Sequence, residues 1–146
     1  SADTLSFTSN GSSIIKGESL VDTVKTISAM KVQMYIVRNV FAGVPQLIHK
    51  HTNAIVINAG DGKHEHPTQA ILDTFTLKQH YKNLENLRVC IIGDILHSRV
   101  ARSNITMLRT MGAKVKLLGP GTLLYRYINP WNIDILNNIV GSQMIA

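Results

Sequence analysis

At 146 residues, 45% of them apolar, the chain is long enough to bury a core, and its length alone favours one domain. No apolar run approaches the ~18 residues of a membrane span and no basic-then-apolar leader opens it, which points to a soluble, cytoplasmic protein; Ser1 in place of Met implies a processed or cut N-terminus. The formal charge of +6 fits an anionic partner, either a nucleic acid or a small phosphorylated or carboxylated substrate, and a single cysteine excludes an internal disulfide.

In chain order, a first strand is predicted at TLSFT. The stretch NGSSIIKGESLVDT (10–23) follows, with Ser12, Ser13 and Lys16 on a glycine-flanked loop. That loop is either plainly mobile or a donor-rich segment able to hold a phosphate. Ser19 with Asp22 resembles a capping box, so a helix begins there and runs over 19–31. Strands are predicted at 34–38 (MYIVR) and 54–60 (AIVINAG), with a helix over 41–50 between them. The helix over 67–81 carries Ala70, Ile71, Phe75 and Leu77 as a stripe expected to be buried. YKNLENL is polar and turn-rich and divides the chain into units 1–83 and 84–146. Strand RVCIIGD (88–94), helix 99–112 and strand KVKLLGP (114–120) follow, with Cys90 read as a small buried hydrophobe. The asparagine-rich tail after Leu124 shows one weak helical pattern. Strands alternating with helices of this length make an α/β fold, a parallel sheet flanked by helices with right-handed crossovers.

Ligands of such sheets bind beyond the C-terminal strand ends. Arg38 closes one strand, GDGKHEHPTQ (60–69) follows the next, and GDILHSRVARS (93–103) follows a third. In HPTQ, Pro67 suits the first helical position, placing His66 near the N-cap and Gln69 in the first turn. Both side chains reach a ligand at the positive helix end, where a histidine stays neutral and donates an N–H to a carbonyl oxygen. The plain alternative is a helix cap with a solvated histidine. A metal site would need His64 and His66 with Asp61 or His97, in none of the usual ligand spacings. GDILHSRVARS lacks both the G-x-G-x-x-G and the phosphate-loop glycines. Arg99, in the first turn of its helix, suits a carboxylate; equally, Arg99 and Arg102 make two surface charges on an amphipathic helix. From Arg88 to Arg126 seven basic residues stand against one acid, but no aromatic lies between 88 and 124, which disfavours nucleic acid.

KGESLVDT, IVR, NAGDGKHEHPTQAILD and GDILHSRVARS, in this order and spacing over roughly residues 1–124, resemble the catalytic chains of the aspartate carbamoyltransferase family. The resemblance implies transfer of a carbamoyl group from carbamoyl phosphate to the amine of L-aspartate, in pyrimidine synthesis, with no metal or organic cofactor. It implies that Arg38 and His66 polarise the carbamoyl oxygen, Gln69 contacts the carbamoyl amide, and Arg99 holds aspartate. Ser12 and Lys16 match the loop that reaches a neighbouring subunit's site in the family's trimers, so a homotrimer is expected, with a regulatory subunit as a possible partner. His64 is expected to be a bystander.

The resemblance also implies a fragment. The family's phosphate loop would lie upstream of Ser1, and most of the aspartate-binding domain would lie downstream. The chain would then hold the end of a carbamoyl-phosphate domain and the start of a Rossmann-like aspartate-binding domain, with turnover by these residues alone in question. Arg38-Asn39-Val40 stands where the family usually has Arg-His-Pro, and the tail beyond Leu124 departs from the pattern. The alternative is a catalytically dead homologue acting as a binding or assembly partner.

Overall fold

A computed structural model describes residues 3–6, 19–124 and 133–136. Its elements are α1 (Leu20–Ala29), β1 (Met34–Asn39), α2 (Val44–Lys50), β2 (Ile55–Asp61), α3 (Pro67–His80), β3 (Arg88–Ile92), α4 (Arg99–Thr110), β4 (Lys114–Leu118) and β5 (Asp134–Leu136). Strands β1 and β2 pair in parallel as one sheet, and β3, β4 and β5 pair in parallel, in that order, as a second. The crossovers from β1 to β2 and from β3 to β4 are each a single helix, as the alternating sequence pattern predicts. Caps fix the helix starts. Ser19 Oγ accepts from the Asp22 N–H at 3.2 Å and donates to its carboxylate at 2.6 Å, and Ser98 Oγ accepts from the Ala101 N–H at 3.1 Å.

The larger core lies under the second sheet, where Ile95, Ala101, Ile105, Leu108, Val115, Leu117 and Leu124 pack together. A smaller one, Val24, Val44 and Ile48, supports Tyr35, Val37 and Val56 of the first sheet. Helix α3 spans the two, packing on β2 and on α4. Its buried residues Ala70 and Thr74, with half-buried Leu77 against the larger core, recur at helical spacing on one face.

Four expectations need correction. Residues 3–6 of the TLSFT region are exposed and form no strand, while Phe7 and Thr8 lie outside the described residues. The stripe on α3 is narrower than predicted. Ile71 and Phe75 sit about 100–140° round the helix from Ala70 and are 55% and 60% exposed. Cys90 is exposed rather than buried, because one face of β3 carries the core contacts of Val89 and Ile91 and the other shows Arg88, Cys90 and Ile92. In the tail, Asp134–Leu136 is a strand and not a helix. The β4 edge offers unpaired backbone groups, and Ile133 packs on the larger core beside it, so tertiary pairing overrides a weak local pattern.

Two predictions arise here. Met34, Ile36 and Ile55 on the first sheet, with Ile71, Leu72 and Phe75 on α3, are all exposed. Sedimentation of the purified chain at micromolar concentration is expected to show species heavier than the monomer; a single sharp monomer boundary would refute this. At the strand ends of the second sheet, the Gly93 N–H donates to the Leu118 carbonyl at 2.9 Å, and a Cβ on Gly119 would stand 2.5 Å from the Gly93 carbonyl oxygen. Since that neighbour is backbone, Gly119→Ala is expected to cost roughly 2 kcal/mol, read as a drop in melting temperature of about 5 °C.

Candidate active site

The C-terminal ends of β1 and β2 are held together by one buried carboxylate. The β1–β2 ladder shifts register between Val37 and Asn39, so Asn39 pairs with Asp61. Such a bulge re-aims the residues beside it, here Arg38 and the G-D-G turn. Asp61 is 1% exposed. Its Oδ2 accepts from the Gly43 N–H at 2.8 Å and lies 3.1 Å from His64 Nδ1, while its Oδ1 accepts from Asn58 Nδ2 and the Glu65 N–H, both at 3.0 Å. Burial alone would raise this carboxyl, but the hydrogen bonds outweigh it and hold Asp61 below the usual carboxylate range. The Gly62 N–H adds a bond to the Asn39 carbonyl at 2.9 Å. His64 is thus a structural partner of Asp61.

His66 is the N-cap residue of α3, yet its side chain makes no capping bond. Its ring Nδ1 lies 3.2 Å from Thr68 Oγ1, and Nε2 makes no hydrogen bond among the described residues. Its backbone N–H donates to Ser103 Oγ of α4 at 2.8 Å, which fixes the histidine against the second sheet's lead helix. Gln69, one turn on, donates its Nε2 to Asp73 Oδ1 at 2.8 Å.

Arg99 opens α4 and reaches back across the interface between α3 and α4. Its Nη1 donates to the Gly62 carbonyl at 3.1 Å, and its Cζ lies 3.1 Å from where a Cβ on Gly60 would be. Gly60 has φ +115, so any side chain there is strained and also collides with the guanidinium. Arg38 and Arg99 line one cavity of about 560 Å³ with Phe41, Gly62 and Lys63. His66 and Gln69 do not line that cavity. His66 nonetheless lies within electrostatic reach of both arginines: burial, then Arg99, then Arg38 push its imidazole below the usual histidine value, outweighing Asp73.

That shift has a sign that NMR can check. A lowered value means the neutral ring predominates in the folded chain at pH 7, and protonation costs stability as pH falls below the ordinary histidine range. Arg99→Gln removes a positive charge beside the ring, so the His66 midpoint is expected to rise toward the ordinary value in a ¹H–¹⁵N titration; an unmoved midpoint would show that Arg99 does not contribute.

Of the predicted site residues, Arg38 and Arg99 meet at the cavity, His66 is coupled to both by charge, and Gln69 is engaged by Asp73. Ser12 and Lys16 lie outside the described residues. The residues suggested for a metal separate into pairs: His64 with Asp61, and His97 Nδ1 with the Asp94 carboxylate at 2.9 Å. Among the described residues no group of three His, Cys, Asp or Glu is placed to hold a metal ion, and no helix is long and apolar enough to cross a membrane. Sequence reasoning missed Asp73, Ser103 and Asn104, and gave Asp61 no structural role. Asp73 carried a usable signal, standing four residues after Gln69 on the same helix face.

Residues 1–79 match the family described as aspartate/ornithine carbamoyltransferase, carbamoyl-P binding domain. The aspartate carbamoyltransferase catalytic subunit of Syntrophobacter fumaroxidans is 58% identical over 139 residues, covering 95% of this chain and 46% of that protein. That of Heliobacterium modesticaldum is 56% identical over 124 residues, covering 85% and 40%. The chain therefore spans less than half the length of these relatives. Among solved structures, aspartate transcarbamoylase from Trypanosoma cruzi, in complex with aspartate and phosphate, superposes with a TM-score of 0.77 at 28% identity, covering 90% of this chain and 46% of that one.

Proposed function

Because the chain belongs to the aspartate/ornithine carbamoyltransferase family, we propose that it serves the transfer of a carbamoyl group from carbamoyl phosphate to L-aspartate, giving N-carbamoyl-L-aspartate for pyrimidine synthesis. In this reading residues 1–83 form a carbamoyl-phosphate lobe and 84–146 the start of an aspartate lobe. The observation that carries it is the approach of three cationic or donor side chains, Arg38, Arg99 and His66, at the ends of β1 and β2 and the start of α4.

The chemistry needs donors more than bases. The aspartate amine attacks the carbamoyl carbon, negative charge grows on the carbonyl oxygen, and the bond from carbon to the phosphate oxygen breaks. Arg38 and neutral His66 donate to that oxygen as the charge develops. The departing phosphate takes the amine proton, so no protein carboxylate is required as base. Gln69 contacts the carbamoyl amide and Arg99 holds a carboxylate of aspartate, and the two lobes hold the reactants in line. Ser12 and Lys16 complete a neighbouring subunit's site in a homotrimer. That assembly, a regulatory subunit and a cytoplasmic location are parts of the same proposal.

The test is formation of labelled N-carbamoyl-L-aspartate from labelled carbamoyl phosphate by the purified chain, alongside calorimetric binding of carbamoyl phosphate, with His66→Ala as control. Product that disappears in His66→Ala supports the reading. Saturable binding without product favours the alternative of a catalytically silent homologue that binds or assembles. The absence of both binding and product shows that these 146 residues do neither by themselves and await the rest of the enzyme or a partner.

A further inference from the structure

The Gln69 amide is not free to choose its orientation. Its Nε2 donates to Asp73 Oδ1 at 2.8 Å, and the other carboxylate oxygen, Oδ2, accepts from Asn104 Nδ2 of α4 at 2.6 Å. An ionised carboxylate only accepts, so both amides must turn their NH₂ ends toward Asp73. Gln69 Oε1 is thereby left as an acceptor, and it has no hydrogen-bond partner among the described residues. Asn104 holds the far oxygen, which stops the carboxylate from swinging away, and all three side chains are half-buried, which reduces competition from water.

We propose that Asp73 is a positioning and specificity-determining residue: it locks the Gln69 amide so that Oε1 accepts from a ligand –NH₂ group, and so selects a carbamoyl group over its methyl isostere. The inference rests on carbamoyl phosphate being the ligand. Without the lock the amide turns over by rotation about its last side-chain bond, and in the turned state two NH₂ groups oppose each other. Asp73 touches no reacting atom and acts through Gln69, while Asn104 extends the lock to the second sheet's helix.

The experiment compares affinities of the whole chain for carbamoyl phosphate, acetyl phosphate and inorganic phosphate by calorimetry. Acetyl phosphate keeps the phosphate and the carbonyl and replaces NH₂ by CH₃. The wild-type chain is expected to prefer carbamoyl over acetyl phosphate by about tenfold, the size of one hydrogen bond gained or lost. Asp73→Asn, isosteric but able to hold the amide either way round, is expected to bring the two within about threefold, with phosphate binding unchanged. Asp73→Ala, which makes no bond to Gln69, gives the same comparison should Asp73→Asn fail to fold. An equal loss for all three ligands in the variants, or a preference that survives in them, overturns the proposal, and so does a wild type that binds both acyl phosphates alike. A wild type that binds none of them overturns the reading that these residues hold carbamoyl phosphate by themselves, and with it the discrimination proposed for the chain.

Discussion

Asp61→Ala is expected to lower the melting temperature of the chain by roughly 10 °C, the largest stability effect of any substitution considered. Asp61 is 1% exposed and satisfies the Gly43 and Glu65 N–H groups and Asn58 Nδ2, besides pairing with His64. Removing the carboxylate leaves those donors buried without a partner, a cost of about 3 kcal/mol or more. Asp61→Asn fares little better, because one end of its amide brings a donor to face donors. The pH dependence has a definite sign. The folded-state value of Asp61 is lowered, so its stabilising contribution is complete above the ordinary carboxylate range and disappears as pH falls through the folded value. Melting curves of wild type and Asp61→Ala are therefore expected to converge on acidification. Curves that stay parallel down to the lowest pH would show that Asp61 is not the charged hub described.

Arg99→Lys is expected to weaken binding of a dicarboxylate by roughly a hundredfold while leaving carbamoyl phosphate affinity within about threefold, as charged, two-pronged hydrogen bonds are worth about 3 kcal/mol. Lysine keeps the positive charge, so the comparison isolates the planar fork. The fork has two tasks, since Nη1 also donates to the Gly62 carbonyl at 3.1 Å and braces the G-D-G turn. Calorimetry with succinate, which carries both carboxylates and no amine, in the presence of carbamoyl phosphate measures the effect without turnover. Equal succinate affinity in wild type and variant would remove Arg99 from the aspartate site and leave it a turn brace.

The strands and helices around the site were legible because their signals are distinct: a short run rich in β-branched and aromatic residues in MYIVR and a 3.6-residue repeat in 99–112 need no tertiary information. What escaped depended on neighbours remote in sequence. Ile71 and Phe75 looked like core because an apolar residue carries no record of whether anything covers it. Cys90 sits in an unbroken apolar run, yet only one face of β3 is packed. The three-residue β5 exists through its pairing with β4. At the site, Arg38, His66 and Arg99 were visible as polar residues at strand ends and helix starts. Asp61 was visible too, but its role was not, because its Gly43 partner lies 18 residues upstream. Asn104 lay further off, 31 residues from Asp73.

The two sheets share no strand, and each parallel pair, Met34 with Ile55 and Arg88 with Lys114, closes over a loop of about two dozen residues. Each can thus nucleate separately at modest entropic cost, and amide exchange should report two opening free energies rather than one. Arg38 comes from the first sheet and Arg99 from the helix after β3, so the cavity between them exists only in molecules where both sheets are formed and α3 is docked on α4. Its population is the product of three equilibria, and a ligand that bridges the arginines draws all three toward the ordered state at once.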